Sequence, residues 1–316
     1  MESPGLFIDG FHLVCPQCRS ELSAGGDGEY HCTQDGEKYA CVDGIWRLLS
    51  AERQDYYSVF MNEYQRVRQG EGRIRREPQY YRNLPFSDSS GEMTAAWRIR
   101  AVSFKAFIKR VLAPLEYEYR EPLKCLDLGA GNCWLSNQLA LRGHKAAAVD
   151  LITNDWDGLG VYVNYSTSFL PVQAEFDHLP FSGHQYDLII FNSSLHYSID
   201  CQATLTEAMQ VVKPRGKIII IDTPVYHSSL SGQKMVGERE ELFCQRYGFR
   251  SNTLQSENFL TYSRINELSE SLGIKWRVIK PDYGIRWALK PWVNRFSGRR
   301  EPAAFYVLIG ELTRSG

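Results

Sequence analysis

The stretch LKCLDLGAGNCWLSNQLALRGHKAAAVD, residues 123–150, predicts a strand, a glycine turn, a helix and a second strand. The short apolar run Leu123–Leu128 ends at Gly129-Ala130-Gly131. Glycines at such a position allow a sharp turn, and they let backbone N–H groups approach a ligand closely. The stretch therefore predicts a ligand site directly after a buried strand.

The second half of the same stretch indicates the chemical class of the ligand. A helix over Trp134–Arg142 has Asn132 before it as a plausible N-cap and Gly143 after it as a plausible C-terminal cap. The following strand, Lys145–Val149, leads into Asp150. An acid about 20 residues after a glycine turn is the usual partner of ribose hydroxyls. We therefore expect the unit to bind a nucleoside.

The glycine spacing narrows the choice of nucleoside. A dinucleotide-binding motif needs a third glycine at the position of Trp134, whose bulk argues against NAD or FAD. The pattern Asp127-x-Gly129-x-Gly131 instead resembles motif I of class I S-adenosylmethionine-dependent methyltransferases, of the methyltransferase type 11-like group. That family would place its third motif glycine where this chain has Cys133. The resemblance implies an α/β fold with a doubly wound, seven-stranded, Rossmann-like sheet, and S-adenosyl-L-methionine as cofactor.

Later segments resemble the same family in the correct order. Glu175–Phe181 resembles an acidic segment before Leu-Pro-Phe, in which a carboxylate accepts from the adenine amino group. The spacing favours Glu175 for this role, with Phe176 beside the ring, over Asp177. A strand over Tyr186–Asn192 and the turn of Lys213–Gly216 follow. The expected cofactor-binding residues are Asp127, Gly129, Ala130, Gly131, Trp134, Asp150, Leu151, Glu175, Phe176, Asn192 and Ser193.

The sequence of residues 1–50 predicts a separate, metal-binding module. Cys15-x-x-Cys18 offers two thiolates to one tetrahedral Zn²⁺, and Cys32 offers a third. The segment resembles a small zinc ribbon that is found fused to some methyltransferases, and in that pattern the fourth ligand falls on Asp35. Cys41 and His31 are alternatives, and a degenerate ribbon without metal is another.

Three further regions complete the expected organisation. Residues 51–120 form a helical connecting or cap region, with helices over Tyr56–Arg68 and Ala95–Leu112, before the methyltransferase-like domain of residues 121–316. The arginine-rich loop between these helices either closes over the donor or an anionic substrate, or is a solvated basic loop. Residues 223–262 predict a substrate lid. Residues 274–300 carry eight Lys or Arg against one acid, among aromatic residues, which suits RNA, an anionic small molecule, an interfacial surface or a packed cover.

Composition excludes some classes of function. A net charge of −1 gives no overall attraction to nucleic acid or to an anionic membrane. No run of eighteen apolar residues and no signal-peptide pattern occurs in the 316 residues, so we expect a cytoplasmic protein without a membrane span.

The leading functional hypothesis is methyl transfer to a small-molecule oxygen, nitrogen or carbon nucleophile. His196, just after the fourth strand of the domain, is the candidate general base, because its ordinary pKa suits proton abstraction near neutral pH. The same histidine could merely pack or cap a helix. The alternatives are an RNA base methyltransferase, resembling ribosomal RNA guanine methyltransferases that carry a zinc module, and a non-catalytic nucleoside-binding scaffold.

Overall fold

The strands of the protein lie mainly in one mixed sheet. The computed structural model describes residues 5–26 and 28–313. Within these residues the strands are β1 (Leu6–Ile8), β2 (Phe11–Leu13), β3 (Leu22–Ala24), β4 (Glu29–Cys32), β5 (Lys38–Val42), β6 (Ile45–Arg47), β7 (Lys124–Leu128), β8 (Lys145–Asp150), β9 (Leu170–Gln173), β10 (Tyr186–Asn192), β11 (Val212–Ile221), β12 (Val225–Tyr226), β13 (Leu260–Thr261), β14 (Ile274–Ile279) and β15 (Val307–Leu312).

Seven strands form the doubly wound part of this sheet, in the order β14-β15-β11-β10-β7-β8-β9. Strands β7 to β11 run parallel, whereas β15 is antiparallel to both β11 and β14. The predicted fold class, an α/β fold with a doubly wound, seven-stranded, Rossmann-like sheet, is confirmed. In such a sheet the carboxyl ends of the parallel strands form one edge, where ligands bind.

The N-terminal strands extend the same sheet, which the sequence did not predict. Strand β6 pairs in parallel with β9, with Trp46 opposite Val172 and Arg47 opposite Gln173. Strands β5, β4 and β3 follow outward as an antiparallel meander. The described residues thus contain an eleven-stranded sheet, in which the small module continues the large one.

Helices cover both faces of the sheet. Within the described residues they are α1 (Ala51–Gly70), α2 (Pro78–Arg82), α3 (Thr94–Phe107), α4 (Ala113–Tyr119), α5 (Trp134–Leu141), α6 (Cys201–Val211), α7 (Ser229–Tyr247), α8 (Tyr262–Leu272) and α9 (Ile285–Phe296). On one face the core joins α6 and α8 to the sheet through residues such as Leu205 and Leu268. On the other face α3 and α5 contribute Phe104 and Leu135. None of the described helices is long and apolar enough to cross a membrane.

Two local expectations were wrong. The residue at the N-cap of α5 is Cys133, in left-handed conformation with φ 62°, and not Asn132; its side chain makes no capping hydrogen bond. Residues 274–300 do not form the packed cover that was one of the alternatives for them. They form β14 and then α9, whose Ile285, Trp292 and Phe296 are exposed. The predicted helix over Ala95–Leu112 is α3 continued by a π-helical turn, Ile108–Leu112.

Candidate functional site

A groove lies at the carboxyl edge of the parallel strands. Gly129 follows β7, Asp150 ends β8, and Ser193 follows β10. The acidic segment after β9 reaches the same groove through Glu175 and Phe176. The residues that line it are Tyr57, Phe60, Tyr64, Gly129, Asp150, Leu151, Ile152, Glu175, Phe176, Asp177, Ser193, Ser194, Tyr197, Ser198, Ile199 and Leu254. The topology thus brings together side chains that are up to about 200 residues apart in sequence.

The glycine turn is held tightly at the base of the groove. The N–H groups of Gly129 and Ala130 both donate to the carbonyl of Val149, at 2.8 and 3.0 Å. Gly129 has φ +75°, and a Cβ atom there would lie 2.3 Å from the Cβ of Ser194. Ser194 is itself fixed by a hydrogen bond from its Oγ to the carbonyl of Leu128. Only glycine fits this position.

Asp150 is arranged to accept further hydrogen bonds. Its Oδ2 accepts from the N–H of Gly131 and its Oδ1 from the N–H of Ile152, each at 2.8 Å. Burial raises the pKa of Asp150 to about 6, so the carboxylate is mostly ionised at neutral pH. Each carboxylate oxygen has two acceptor positions, so each can take one more donor, as the two hydroxyls of a ribose would provide.

Five of the expected cofactor-binding residues lie outside the lining of the groove. Asp127 is 1 % exposed, and its Oδ2 accepts from Ser136 Oγ at 2.8 Å; burial raises its pKa to about 7. Trp134 packs edge-on against Phe104, beneath α3. Asn192 is buried at the end of β10. The N–H of Gly131 donates to Asp150, and the N–H of Ala130 donates to the carbonyl of Val149 within the glycine turn.

Glu175 lines the groove, but α1 already occupies its oxygens. Arg53 donates through Nε to Oε1 at 2.7 Å and through Nη2 to Oε2. Tyr57 donates its hydroxyl to Oε2 at 2.8 Å, and His178 Nδ1 lies 3.1 Å from Oε1. Burial alone would raise the pKa of Glu175, but the groups of His178, Arg53 and Tyr57 lower it to about 2. Arg53 and Tyr57 of α1 therefore fill three of the four acceptor positions of this carboxylate.

The neighbouring acid, Asp177, accepts fewer hydrogen bonds from the protein than Glu175 does. Its Oδ1 accepts from Thr204 Oγ1 at 2.5 Å, and the residue lines the same groove. Burial raises its pKa. The structure therefore leaves Asp177 better able than Glu175 to accept a hydrogen bond from a ligand, although spacing favoured Glu175.

Helix α1 provides a wall that the sequence reasoning did not assign to the site. Tyr57, Phe60 and Tyr64 point from one face of the helix into the groove. Their spacing of three and four residues was the available signal, because such positions share a helix face. The enclosed volume is about 80 Å³, below the roughly 300–1,000 Å³ of small-molecule pockets. Entry of a nucleoside therefore requires these covering side chains to move.

His196 lies behind the groove, next to Tyr197, whose ring centroid is 4.6 Å from the imidazole. Its Nδ1 is buried, and no described residue forms a hydrogen bond with it. Burial first, and then the positive charges of Arg239, Arg68 and Arg100, lower the pKa of His196 to about 3. The imidazole is therefore neutral throughout the physiological range.

A second cluster lies in the N-terminal module. The ligand atoms of Cys15, Cys18, Cys32 and Asp35 all lie within 4.8 Å of one another. Cys18 Sγ is 3.3 Å from Cys32 Sγ, and Cys15 Sγ is 3.3 Å from Asp35 Oδ2. Ligands around a tetrahedral Zn²⁺ with Zn–S bonds of about 2.3 Å are roughly 3.8 Å apart, so the donor set fits that ion closely. Cys41 and His31 are not part of the group.

Comparison with known proteins agrees with this geometry. Residues 126–220 match the family model described as methyltransferase domain. These residues are therefore similar to a methyltransferase domain, and the strand order agrees with the one expected for such a domain. Malonyl-[acyl-carrier protein] O-methyltransferase 1 of Coxiella burnetii (strain RSA 493 / Nine Mile phase I) is 31% identical over 115 residues. The aligned part is 36% of this chain and 39% of that relative.

Solved structures of methyltransferases resemble the chain at low identity. The 1,6-didemethyltoxoflavin-N1-methyltransferase of Burkholderia thailandensis is 16% identical with a TM-score of 0.48, and the match covers 90% of this chain and 99% of that one. The phosphoethanolamine N-methyltransferase 2 of Haemonchus contortus is 15% identical with a TM-score of 0.47, over 76% of this chain and 61% of that one.

Proposed function

We propose that the protein transfers a methyl group from S-adenosyl-L-methionine to a small-molecule acceptor. The observation that carries the proposal is the groove in which Gly129, Asp150 and Asp177 converge at the carboxyl ends of parallel strands. Asp150 suits the ribose hydroxyls, and Asp177 suits the adenine amino group. The curated relative is named for transfer to an acyl-carrier-protein-bound malonyl group, and this supports an oxygen acceptor in part.

Methyl transfer depends mainly on the positions of the two reactants. Methyl transfer is an in-line displacement at a sulfonium methyl, so holding the two reactants in line supplies much of the rate. A general base is needed only for an acceptor that must lose a proton. His196 is neutral and its Nδ1 lacks a described partner, so it can receive a proton or a hydrogen bond from an acceptor that reaches it.

We also propose that Cys15, Cys18, Cys32 and Asp35 hold a structural Zn²⁺. Four protein ligands around one ion are typical of a closed, structural site rather than a catalytic one. The strands β3, β4 and β5 next to these residues bury one side chain each, and a metal stabilises modules of this size. The ion would act on the fold of residues 1–50, away from the methyl transfer.

Calorimetry with S-adenosyl-L-methionine and with NAD tests the main proposal. We expect S-adenosyl-L-methionine to bind with micromolar-range affinity and NAD not to bind. Asp150→Ala should weaken donor binding by about 1.5–3 kcal/mol, the value of a hydrogen bond to a charged group. Asp155→Ala is the matched control, because Asp155 lies on the same loop and pairs with exposed Arg75. Binding of NAD instead, or equal donor affinity in both variants, would contradict the proposal.

An RNA acceptor is the second candidate, because β14, α9 and the chain up to Arg300 carry eight Lys or Arg against one acid. Binding to RNA through phosphate contacts falls steeply with salt. Purified protein should therefore carry nucleic acid, seen as a high ratio of absorbance at 260 to 280 nm, that a salt wash removes. Protein that is free of nucleic acid at low salt would contradict the RNA acceptor and favour the small-molecule acceptor.

A further inference from the structure

Helix α9 carries a continuous apolar face that points into solvent. Five large apolar side chains form this α9 face, each at least 51 % exposed, and Phe296 reaches 86 %. They recur at spacings of three and four residues, which places them on one side of the helix: Ile285, Leu289, Trp292, Val293 and Phe296. Single exposed apolar side chains are ordinary, whereas a contiguous group of this size marks an interaction site.

The opposite side of α9 attaches the helix to the protein. The ring centroid of Trp287 lies 5.0 Å from that of Tyr283 and 5.9 Å from that of Phe305. Asn294, two turns after Trp287 and on the same side, donates from Nδ2 to the carbonyl of Arg300 at 2.9 Å. The helix is therefore held by its inner side, and packing within the protein does not require the α9 face.

The α9 face is bordered by positive charge. Arg286 and Lys290 are both exposed, and they are four residues apart, so they follow one flank of the face. Arg299 is exposed shortly after the helix ends. Residues 283–300 contain five Lys or Arg and no Asp or Glu. The local charge is thus strongly positive, although the net charge of the chain is −1.

The acids near α9 have partners of their own. Asp282 accepts from the N–H of Gly284 at 2.9 Å, and Glu238 pairs with Arg300 at 2.7 Å. Glu301 accepts from the N–H of His227 at 3.0 Å. Within the described part of the chain, no ion pair joins an acid to Arg286, Lys290 or Arg299. Their charges are therefore available to a partner from outside.

We propose that the α9 face docks on the surface of an anionic phospholipid membrane. A helix with aromatic and aliphatic side chains on one side and basic residues beside them lies in the plane of such an interface. The apolar side chains would enter the boundary between headgroups and acyl chains. Arg286 and Lys290 would face the lipid phosphates, which attract basic side chains close to the surface. The inference does not depend on the identity of the methyl acceptor.

Two other occupants fit the α9 face less well. Single-stranded RNA is held by base stacking and phosphate contacts, and the aliphatic side chains of Ile285, Leu289 and Val293 offer no ring for stacking. A second copy of the chain, related by a two-fold axis, would bring Arg286 and Lys290 close to the same residues of the other copy. Like charges across an interface are unfavourable, and α9 contains no acid to offset them.

Vesicle flotation with the intact protein tests the docking. Vesicles of phosphatidylcholine alone are compared with vesicles of phosphatidylcholine and phosphatidylglycerol in equal parts. We expect the mixed vesicles to bind about ten-fold more tightly or better, because they attract the basic flank. Added salt should weaken this binding, because salt screens the charges. Equal binding to both kinds of vesicle, or binding to neither, overturns the proposal.

Apolar variants assign the binding to α9. Trp292→Gln and Phe296→Gln should each weaken binding to the mixed vesicles by about ten-fold or more, as expected from the loss of a buried aromatic side chain. Tyr117→Gln is the matched control, because Tyr117 is 79 % exposed on α4. All three variants should unfold at the wild-type urea concentration, since the substituted side chains are exposed. Wild-type binding by both α9 variants, or an equal loss in the control, contradicts the proposal.

Charge variants test the basic flank. Arg286→Gln and Lys290→Gln should each weaken binding to the mixed vesicles about five-fold and leave binding to phosphatidylcholine unchanged. Arg98→Gln, at an exposed position on α3, is the control and should bind as the wild type does. Unchanged binding in both α9 variants would show that this flank does not face the lipid, and the proposal would be wrong.

Two further measurements distinguish the other occupants. Tryptophan fluorescence of the wild type should shift to shorter wavelength on mixed vesicles, and the shift should be smaller in Trp292→Phe. Sedimentation without lipid should give the same oligomeric state for the wild type and Phe296→Gln. A dimer that Phe296→Gln dissociates assigns the α9 face to a second copy. Bound nucleic acid that the same variant loses, without vesicle binding, assigns it to RNA. Either result overturns the proposal.

Discussion

Glu175 illustrates how the neighbours of a residue decide its role. Spacing within the motif points to this carboxylate as the adenine partner. Arg53 and Tyr57, which come from a helix more than a hundred residues earlier, use its oxygens instead. Its side chain is 3 % exposed and its pKa is lowered to about 2, as expected for a structural ion pair that fixes α1 over the groove.

The two acids should therefore respond differently to substitution. Asp177→Ala should weaken donor binding by about 1.5–3 kcal/mol, the value of one hydrogen bond to a charged group. Glu175→Gln should mainly lower the free energy of unfolding, by about 1–3 kcal/mol at pH 7. Calorimetry of donor binding and urea unfolding of both variants separate the two effects. A larger loss of donor affinity in Glu175→Gln would return the adenine contact to Glu175.

The pH dependence of the Glu175 effect has a definite sign. The folded pKa is about 2, below the ordinary value near 4.3 for an unfolded glutamate. The ion pair thus stabilises the fold fully above about pH 4.3, and this contribution is lost as the pH falls toward 2. The difference in unfolding free energy between wild type and Glu175→Gln should narrow across the same range.

His196 gives a prediction for the pH–rate profile. Since its pKa is lowered to about 3, the imidazole is unprotonated from about pH 4 upward, and turnover should show no acidic limb from this group between pH 5 and 8. A base with so low a pKa is weak, so His196→Ala should lower turnover by roughly 10²-fold, at the low end for general-base catalysis. Donor affinity should not change. An acidic limb near pH 6.5 that disappears in the variant would contradict this environment.

At the scale of elements, the start of α1 connects the metal cluster to the groove. Ser50 caps α1 by accepting from the N–H of Arg53 at 3.3 Å, and it accepts from Gln17 Nε2 at 3.2 Å. Gln17 lies between Cys15 and Cys18, and Arg53 holds Glu175. Ser50 therefore connects the turn between Cys15 and Cys18 with the start of α1. Through Arg53, the same connection reaches Glu175 in the groove.

Removing this cap should affect both stability and the site. Ser50→Ala should lower the free energy of unfolding by about 1 kcal/mol, as for other N-cap substitutions. Donor binding should weaken as well, because Arg53 and the aromatic face of α1 lose their fixed position. Ser58→Ala within α1 is the control, since Ser58 bonds only the carbonyl of Asp55 among the described residues. Urea unfolding and calorimetry measure the two quantities, and equal behaviour of the variants would refute the connection.

The sequence predicted the elements that local pattern determines. The bounds of β10 were predicted residue for residue, because its apolar run is long and flanked by polar residues. The turn at Gly129 followed from glycine chemistry. The pairing of β6 with β9 and the use of Glu175 by Arg53 were not predicted. Each depends on contacts between residues far apart in sequence, for which periodicity and spacing carry no signal.

At the scale of the whole molecule, the N-terminal module is attached at several points. Beyond the strand pairing, Val14 N–H donates to the carbonyl of Pro180 at 3.1 Å, and Arg19 Nη1 donates to the carbonyl of Phe181 at 3.2 Å. Arg19 also pairs with Glu207 of α6. The module and the seven-stranded part of the sheet therefore share one network of hydrogen bonds, and they should unfold together.

Metal content provides the corresponding prediction. We expect about one zinc per chain, lost in Cys18→Ser, and a lower melting temperature of the whole protein in that variant, because structural zinc stabilises the fold that holds it. Asp35→Ala should weaken retention against a chelator, whereas Cys41→Ala, at an exposed position outside the cluster, should not. Elemental analysis and calorimetry check both statements, and a metal-free protein with unchanged melting would contradict them.

The parallel pairing of β6 with β9 also has a consequence for aggregation. All four residues of β9 are buried, and without β6 the strand would form the open edge of a sheet. Exposed edges with apolar side chains pair readily with other chains. The N-terminal module thus protects the sheet from edge-to-edge association, and a shortened protein that begins at α1 should precipitate even where its groove is intact.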